Sequence, residues 1–183
     1  MLLTERAVQG VFTIDLDPRH DSRGFLARSF DAREFVEHGL ESAFVQAYVS
    51  VTRRRGTIRG LHYQVSPAPE AKLARCVRGA LLDVIVDLRP NSPTFLQHCT
   101  IELTATDRRS VYVPALCAHG MQTLTDDVEL FSQSSSFHAP EHERGVRFDD
   151  PALGIHWPLP VSELSDKDAS WGFFDSPLPA PTQ

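Results

Sequence analysis

The run Ala80-Leu81-Leu82-Asp83-Val84-Ile85-Val86-Asp87-Leu88 follows a segment Lys72 to Val77 and the pair Arg78-Gly79, and it decides the fold class. It is apolar enough for a central strand, and Arg89-Pro90-Asn91-Ser92-Pro93 closes it. Strands recur on either side at regular intervals. Upstream, Phe44 to Val51 has a period of two, with Val45, Ala47, Val49 and Val51 on one side and Gln46, Tyr48 and Ser50 on the other. Val11 to Asp17 and Phe25 to Phe30 precede it as further strands. Downstream follow Phe95 to Leu103, Ser110 to Val113, Met121 to Thr123 and Val128 to Gln133, with turn residues between. The single substantial helix expected begins at Asp31, an N-cap residue type with Glu34 three positions on, and ends at Gly39. Many short strands with almost no helix predict an all-β chain: an antiparallel barrel or sandwich in one domain over residues 1–183, ending in a frayed proline-rich tail from Pro177 to Gln183.

Composition narrows the function. A chain of 183 residues with 42% hydrophobic and 23% charged residues has the makeup of a folded domain with a real core. A formal net charge of −6 gives no support to nucleic-acid binding, although a local basic pocket fits within an acidic protein. Cys76, Cys99 and Cys117 form no CxxC pair, and an odd count without a framework suggests a reducing compartment, so the cytoplasm is the expected location. Neither a signal peptide nor a membrane span is expected.

The stretch richest in chemistry is Arg59-Gly60-Leu61-His62-Tyr63-Gln64, followed by Lys72-Leu73. Gly56 and Gly60 bracket its start, so a turn is expected to deliver Arg59 and His62 to an extended run whose alternate side chains point opposite ways. A histidine beside Arg59 and Lys72 is a candidate base in a cationic pocket. Taken alone, the pattern fits better a strand histidine that satisfies local hydrogen bonds.

More of the chain bears on the choice. Arg23-Gly24-Phe25, the Arg59–Gln64 stretch, Lys72-Leu73, Asp87-Leu88-Arg89 with Ser92-Pro93-Thr94, Ala118-His119-Gly120, Glu143-Arg144-Gly145, and Leu164-Ser165 with Lys167-Asp168 occur in this order. Together they resemble dTDP-4-dehydrorhamnose 3,5-epimerases and their relatives in deoxysugar pathways, from about Phe12 to Asp168. The resemblance implies a cupin-type jelly roll, a homodimer exchanging N-terminal strands, a nucleotide-sugar substrate, and neither metal nor other cofactor. None of the eight histidines makes an HxH pair.

It also implies roles. His62 would remove a proton next to the sugar's 4-keto group, Asp168 would pair with it, and Lys72, with His119, would meet the developing enolate. Arg59 and Arg23 would hold the diphosphate, a task suited to the guanidinium fork. Gln46, Glu143 and Lys167 fall on pocket positions. Trp171, Phe173 and Phe174 are expected to cover the barrel mouth or meet a partner subunit.

One departure stands out. The chain reads Glu129-Leu130-Phe131-Ser132-Gln133, then Phe137-His138 before Ala139-Pro140, which puts Ser132 where the family carries the tyrosine that reprotonates the enolate. A serine hydroxyl is a far weaker acid than a phenol, whose pKa is about 10. His138, Tyr48 or water are the alternatives as donor. The expected activity is epimerisation of a dTDP-4-keto-6-deoxy sugar at C3, C5 or both. Another enolisation reaction on a different ketone, and a non-catalytic scaffold, are the alternatives.

Overall fold

The computed structural model describes residues 1–174; the tail from Pro177 to Gln183 lies outside the described residues. The chain opens with β1 (Leu2–Glu5), β2 (Phe12–Asp15), the hairpin β3 (Arg19–Asp21) and β4 (Gly24–Leu26), and helix α1 (Ala32–Glu37). There follow β5 (Gln46–Thr52), β6 (Ile58–Gln64), β7 (Lys72–Arg78), β8 (Ala80–Asp87) and β9 (His98–Thr104). The last elements are β10 (Ser110–Val113), β11 (Cys117–Thr123), β12 (Val128–Ser134), β13 (Glu143–Gly145) and the single-turn α2 (Asp166–Ala169). A six-stranded sheet in the order β1-β2-β10-β7-β12-β5 faces a five-stranded sheet in the order β13-β6-β11-β8-β9, and every pairing is antiparallel. This is the expected jelly roll.

Strand β8 shows why its sequence is apolar throughout. Leu81 and Ile85 point between the sheets, into a cluster with Ala74, Val111, Met121 and Val128. Val84 and Val86 point the other way, beneath Val146, Leu153 and Trp157 of the C-terminal segment. A strand covered on both faces has no polar side to alternate with. The outer face of the six-stranded sheet is covered in turn by α1, whose Phe35 is fully buried against Ile14, Leu73 and Tyr112. Burying a ring of that kind contributes about 2 kcal/mol.

Helix α1 starts as expected, with Asp31 accepting from the Arg33 N–H, and Gly39 follows it at φ 71°. Some boundaries differ. The strand expected over Phe25 to Phe30 ends at Leu26, and the one expected from Met121 begins at Cys117, which places His119 inside a strand. Val49 and Val51 on the outer face of β5, and Val45 just before it, are exposed, at 60%, 54% and 46%. The three cysteines are free, and burial raises their thiols, Cys76 and Cys99 to about 11 and Cys117 to about 12, so they remain protonated and unreactive.

Candidate active site

The two sheets close on apolar side chains at one end and part at the other around a cavity of about 220 Å³. His62 lies on its five-stranded wall, and Lys72, Tyr48 and Ser132 lie on the six-stranded wall. His62 Nε2 is 2.5 Å from Asp168 Oδ1, across 106 residues of sequence. The carboxylate is delivered by α2, where Ser165 as N-cap accepts from the Asp168 N–H at 3.1 Å. The second carboxylate oxygen accepts from the Gly60 N–H at 3.2 Å. Burial pushes the Asp168 carboxyl up, but the hydrogen bond and charge of His62, the Gly60 N–H and the Ser165 hydroxyl outweigh it and hold the group below its ordinary 3.8. It is therefore an anion at neutral pH. With Nε2–H directed at that anion, Nδ1 of His62 carries the lone pair, the arrangement a general base requires.

Arg59 and His62 are three residues apart, which on a regular strand would place them on opposite faces. Both nevertheless line the cavity. A turn at Arg55-Gly56 leads into the strand as expected, and the device that turns both side chains to the cavity is an irregularity inside the strand. Gly60 adopts φ 117°, and the pairing of β6 with β11 shifts register between His119 and Met121. A Cβ at Gly60 would stand 2.5 Å from Gly120 Cα, so at this bulge the paired strands approach more closely than any residue but glycine permits. Arg59 is anchored at the mouth, donating from Nε to Thr52 Oγ1 at 2.8 Å and from Nη2 to the Val51 carbonyl at 3.2 Å.

Lys72 reaches in from β7, 3.1 Å from Glu70 Oε1 and 3.4 Å from the His62 carbonyl oxygen. His119 is the direct cross-strand partner of His62, and its Nε2 lies 2.8 Å from Oδ1 of fully buried Asp83. The five-stranded wall thus carries two histidines side by side, each backed by its own aspartate. Bound to Asp83 in this way, His119 donates to an enolate from Nδ1 only as the imidazolium. Lys72 carries N–H donors on the facing wall, the geometry that meeting an enolate oxygen requires.

Not every expected residue is at the cavity. Gln46 sits at the rim, its Oε1 accepting from the Tyr48 hydroxyl at 3.2 Å and from the His138 N–H at 2.5 Å. Glu143 lines the cavity and holds Lys167 at 2.6 and 2.7 Å, so the Lys167 charge is satisfied there and the lysine is not part of the lining. Arg23 is far from being enclosed: 87% exposed on the β3–β4 hairpin, it pairs with Asp21 at 2.6 Å. Every residue of both hairpin strands is exposed.

Of the C-terminal aromatics, Trp171 meets the His62 ring edge-on at 6.2 Å and lies against Gly145, where any Cβ would collide with the indole. Phe174 packs with the outer cluster, while Phe173 is 53% exposed. Glu70, Asp83 and Gln64 are functional neighbours that the sequence reading missed. Gln64 binds Ala68, Phe137 and Ala139 through their backbones and thereby fixes the loop that bears His138. The signal for Glu70 was its spacing of two from Lys72; an aspartate within the apolar run was the signal for Asp83.

A jelly roll with a carboxylate-backed histidine on one wall and a lysine on the other is equipped to take a proton from carbon beside a carbonyl, which is isomerase chemistry. Among the described residues, no three His, Cys, Asp or Glu side chains come together to hold a metal ion. Residues 5–176 match the family model for dTDP-4-dehydrorhamnose 3,5-epimerase, and the chain belongs to that family. The dTDP-4-dehydrorhamnose 3,5-epimerase of Pseudomonas aeruginosa is 41% identical over 170 residues, 92% of this chain and 93% of the relative. The crystal structure of the corresponding enzyme from Elizabethkingia anophelis superposes with a TM-score of 0.92 at 34% identity, covering 95% of this chain and 96% of that one. A 3′-monoepimerase from Streptomyces bikiniensis, solved in complex with dTDP-quinovose, superposes with a TM-score of 0.83 at 35% identity over 92% and 85% of the two chains.

Proposed function

We propose that the protein epimerises a dTDP-4-keto-6-deoxy sugar at C3, C5 or both. The observation that carries this reading is the His62–Asp168 contact facing Lys72 across the cavity. His62 takes the proton α to the ketone, Asp168 fixes the ring and stabilises the imidazolium, and Lys72 holds the enolate oxygen. Arg59, at the mouth, binds the diphosphate.

The same reading makes the protein a homodimer in the cytoplasm, with no nucleic-acid partner. Dimerisation is supported by the exposed apolar face of β5 and by Phe25 and Leu26, 41% and 78% exposed on the hairpin that holds Arg23. Docked on a second copy, this hairpin offers Arg23 to the diphosphate of the partner's cavity. The location is supported by three free cysteines; among the described residues, no helix is long and apolar enough to cross a membrane.

Incubating the protein with dTDP-4-keto-6-deoxy-D-glucose in deuterated water tests the activity. Proton NMR should show deuterium entering C3, C5 or both as a new epimer accumulates. Unlabelled substrate after prolonged incubation would reject the reading.

A further inference from the structure

On the reading above, inversion needs an acid on the side of the sugar opposite His62, which means one projecting from the six-stranded wall. Resting on that reading, we propose that Tyr48 is this acid, a catalytic residue that delivers its phenolic proton to the enolate. Its strand, β5, belongs to the six-stranded sheet, whereas His62 stands on the facing five-stranded sheet. Base and phenol therefore approach a bound ring from opposite walls of one cavity, which both of them line.

Elimination along that wall leads to the same residue. Ser50, Ser132 and Ser134 carry aliphatic hydroxyls too weakly acidic for the step. Glu70 accepts from Ser134 Oγ at 2.5 Å and pairs with Lys72, so both of its carboxylate oxygens act as acceptors. Lys72 is committed to the enolate oxygen. His138 lines the cavity from a loop and is held there through its backbone N–H, its ring not being fixed by that bond. Tyr48, 43% exposed on the edge strand β5, alone combines a position hydrogen-bonded into the sheet with a proton of suitable acidity.

The neighbouring position provides the room. Tyr48 and Ser132 are direct cross-strand partners in the β5–β12 ladder. Directly opposed residues lie about 5 Å apart, so the side chain at 132 sets how much space is open beside the Tyr48 ring. The short Ser132 leaves that volume to the Tyr48 ring. The Tyr48 hydroxyl is steered by its 3.2 Å bond to Gln46, which also anchors the loop carrying His138. Burial, and then the negative charge of Glu70, raise the phenol above its ordinary 10.0, so it enters the reaction protonated.

The protons balance. His62 takes the α proton, leaving an imidazolium and an enolate; the Tyr48 O–H bond breaks as the new C–H bond forms on the other face, regenerating the ketone and leaving a phenolate. Solvent returns a proton to Tyr48 and removes one from His62, so no other reactant is consumed.

Tyr48→Phe separates exchange from inversion. With wild-type enzyme in deuterated water, dTDP-4-keto-6-deoxy-D-glucose gives labelled epimer; failure at this stage would overturn the proposed activity and with it the Tyr48 assignment, whereas the variant results bear on Tyr48 alone. In the variant, His62 still removes the proton and returns solvent deuterium from its own side. Recovered substrate should then be labelled at close to the wild-type rate, while epimer formation falls at least a hundredfold. Undiminished epimer formation would overturn the assignment. So would equal loss of exchange and inversion in a variant that still binds dTDP, since that result makes Tyr48 a positioning residue. A His138→Gln variant that loses inversion while Tyr48→Phe retains it would transfer the role to His138.

Discussion

His62 and Asp168, 106 residues apart in the chain, are joined by a 2.5 Å contact between ring nitrogen and carboxylate. The sequence at either end makes this possible: Gly60 lets β6 bulge closely against its neighbour β11 and donates its N–H to Asp168, and the Ser165 cap starts the single turn that carries Asp168. The contact fixes the orientation of the His62 ring, which on the proposed reading is the base.

Replacing Asp168 with asparagine preserves the shape and removes the charge. The expected outcome is a fall in turnover of roughly a thousandfold, with dTDP affinity nearly unchanged, because the ring loses its orientation and the imidazolium its counterion. Steady-state kinetics with a parallel nucleotide titration would decide it. Turnover within tenfold of wild type would show that the contact is not used.

For Lys72→Gln, the expected change is in kcat, which should fall by about 3 kcal/mol of transition-state stabilisation, or roughly a hundredfold, with KM little altered. Glutamine can still donate to Glu70, so urea unfolding should shift by no more than about 1 kcal/mol. A large rise in KM at constant kcat would make Lys72 a binding group for the ground state.

The Asp87-Leu88-Arg89 and Ser92-Pro93-Thr94 motifs serve the fold. Fully buried Asp87 takes two bonds from the Arg89 guanidinium, both at 2.8 Å, and one each from Ser92 Oγ and Thr94 Oγ1 at 2.5 and 2.6 Å. Burial raises this carboxyl, but those donors and the Arg89 N–H outweigh it, so its folded value lies below the ordinary 3.8. A carboxylate with a depressed value contributes stability above its unfolded pKa and loses it as pH falls through the folded one. Asp87→Asn should therefore cost about 3 kcal/mol in urea unfolding at neutral pH, and the deficit should shrink in strong acid. A deficit that is constant with pH would contradict the assignment.

Much of this architecture was legible from local pattern. The Ala80–Leu88 run gave a strand buried on both faces, and Asp31 and Gly39 marked the ends of α1. Less legible was whatever depends on one strand meeting another. Period-two alternation cannot foresee the break at Gly60 that turns Arg59 and His62 toward the same cavity. Nor could it reveal that Lys167 satisfies Glu143, that Asp83 stands behind His119, or that Ser132 lies directly opposite Tyr48. Arg23 was identified through family resemblance; its local sequence, the polar run His20-Asp21-Ser22-Arg23-Gly24, reads instead as a solvent-exposed turn, which is how its hairpin stands within one chain.

The most direct measurement is solvent deuterium exchange into dTDP-4-keto-6-deoxy-D-glucose by His62→Ala beside wild type, with folding and dTDP binding checked in both. Wild-type enzyme should label C3, C5 or both, and the variant should bind dTDP normally yet lose exchange by at least a thousandfold. Exchange at the wild-type rate in a folded His62→Ala protein would contradict the account.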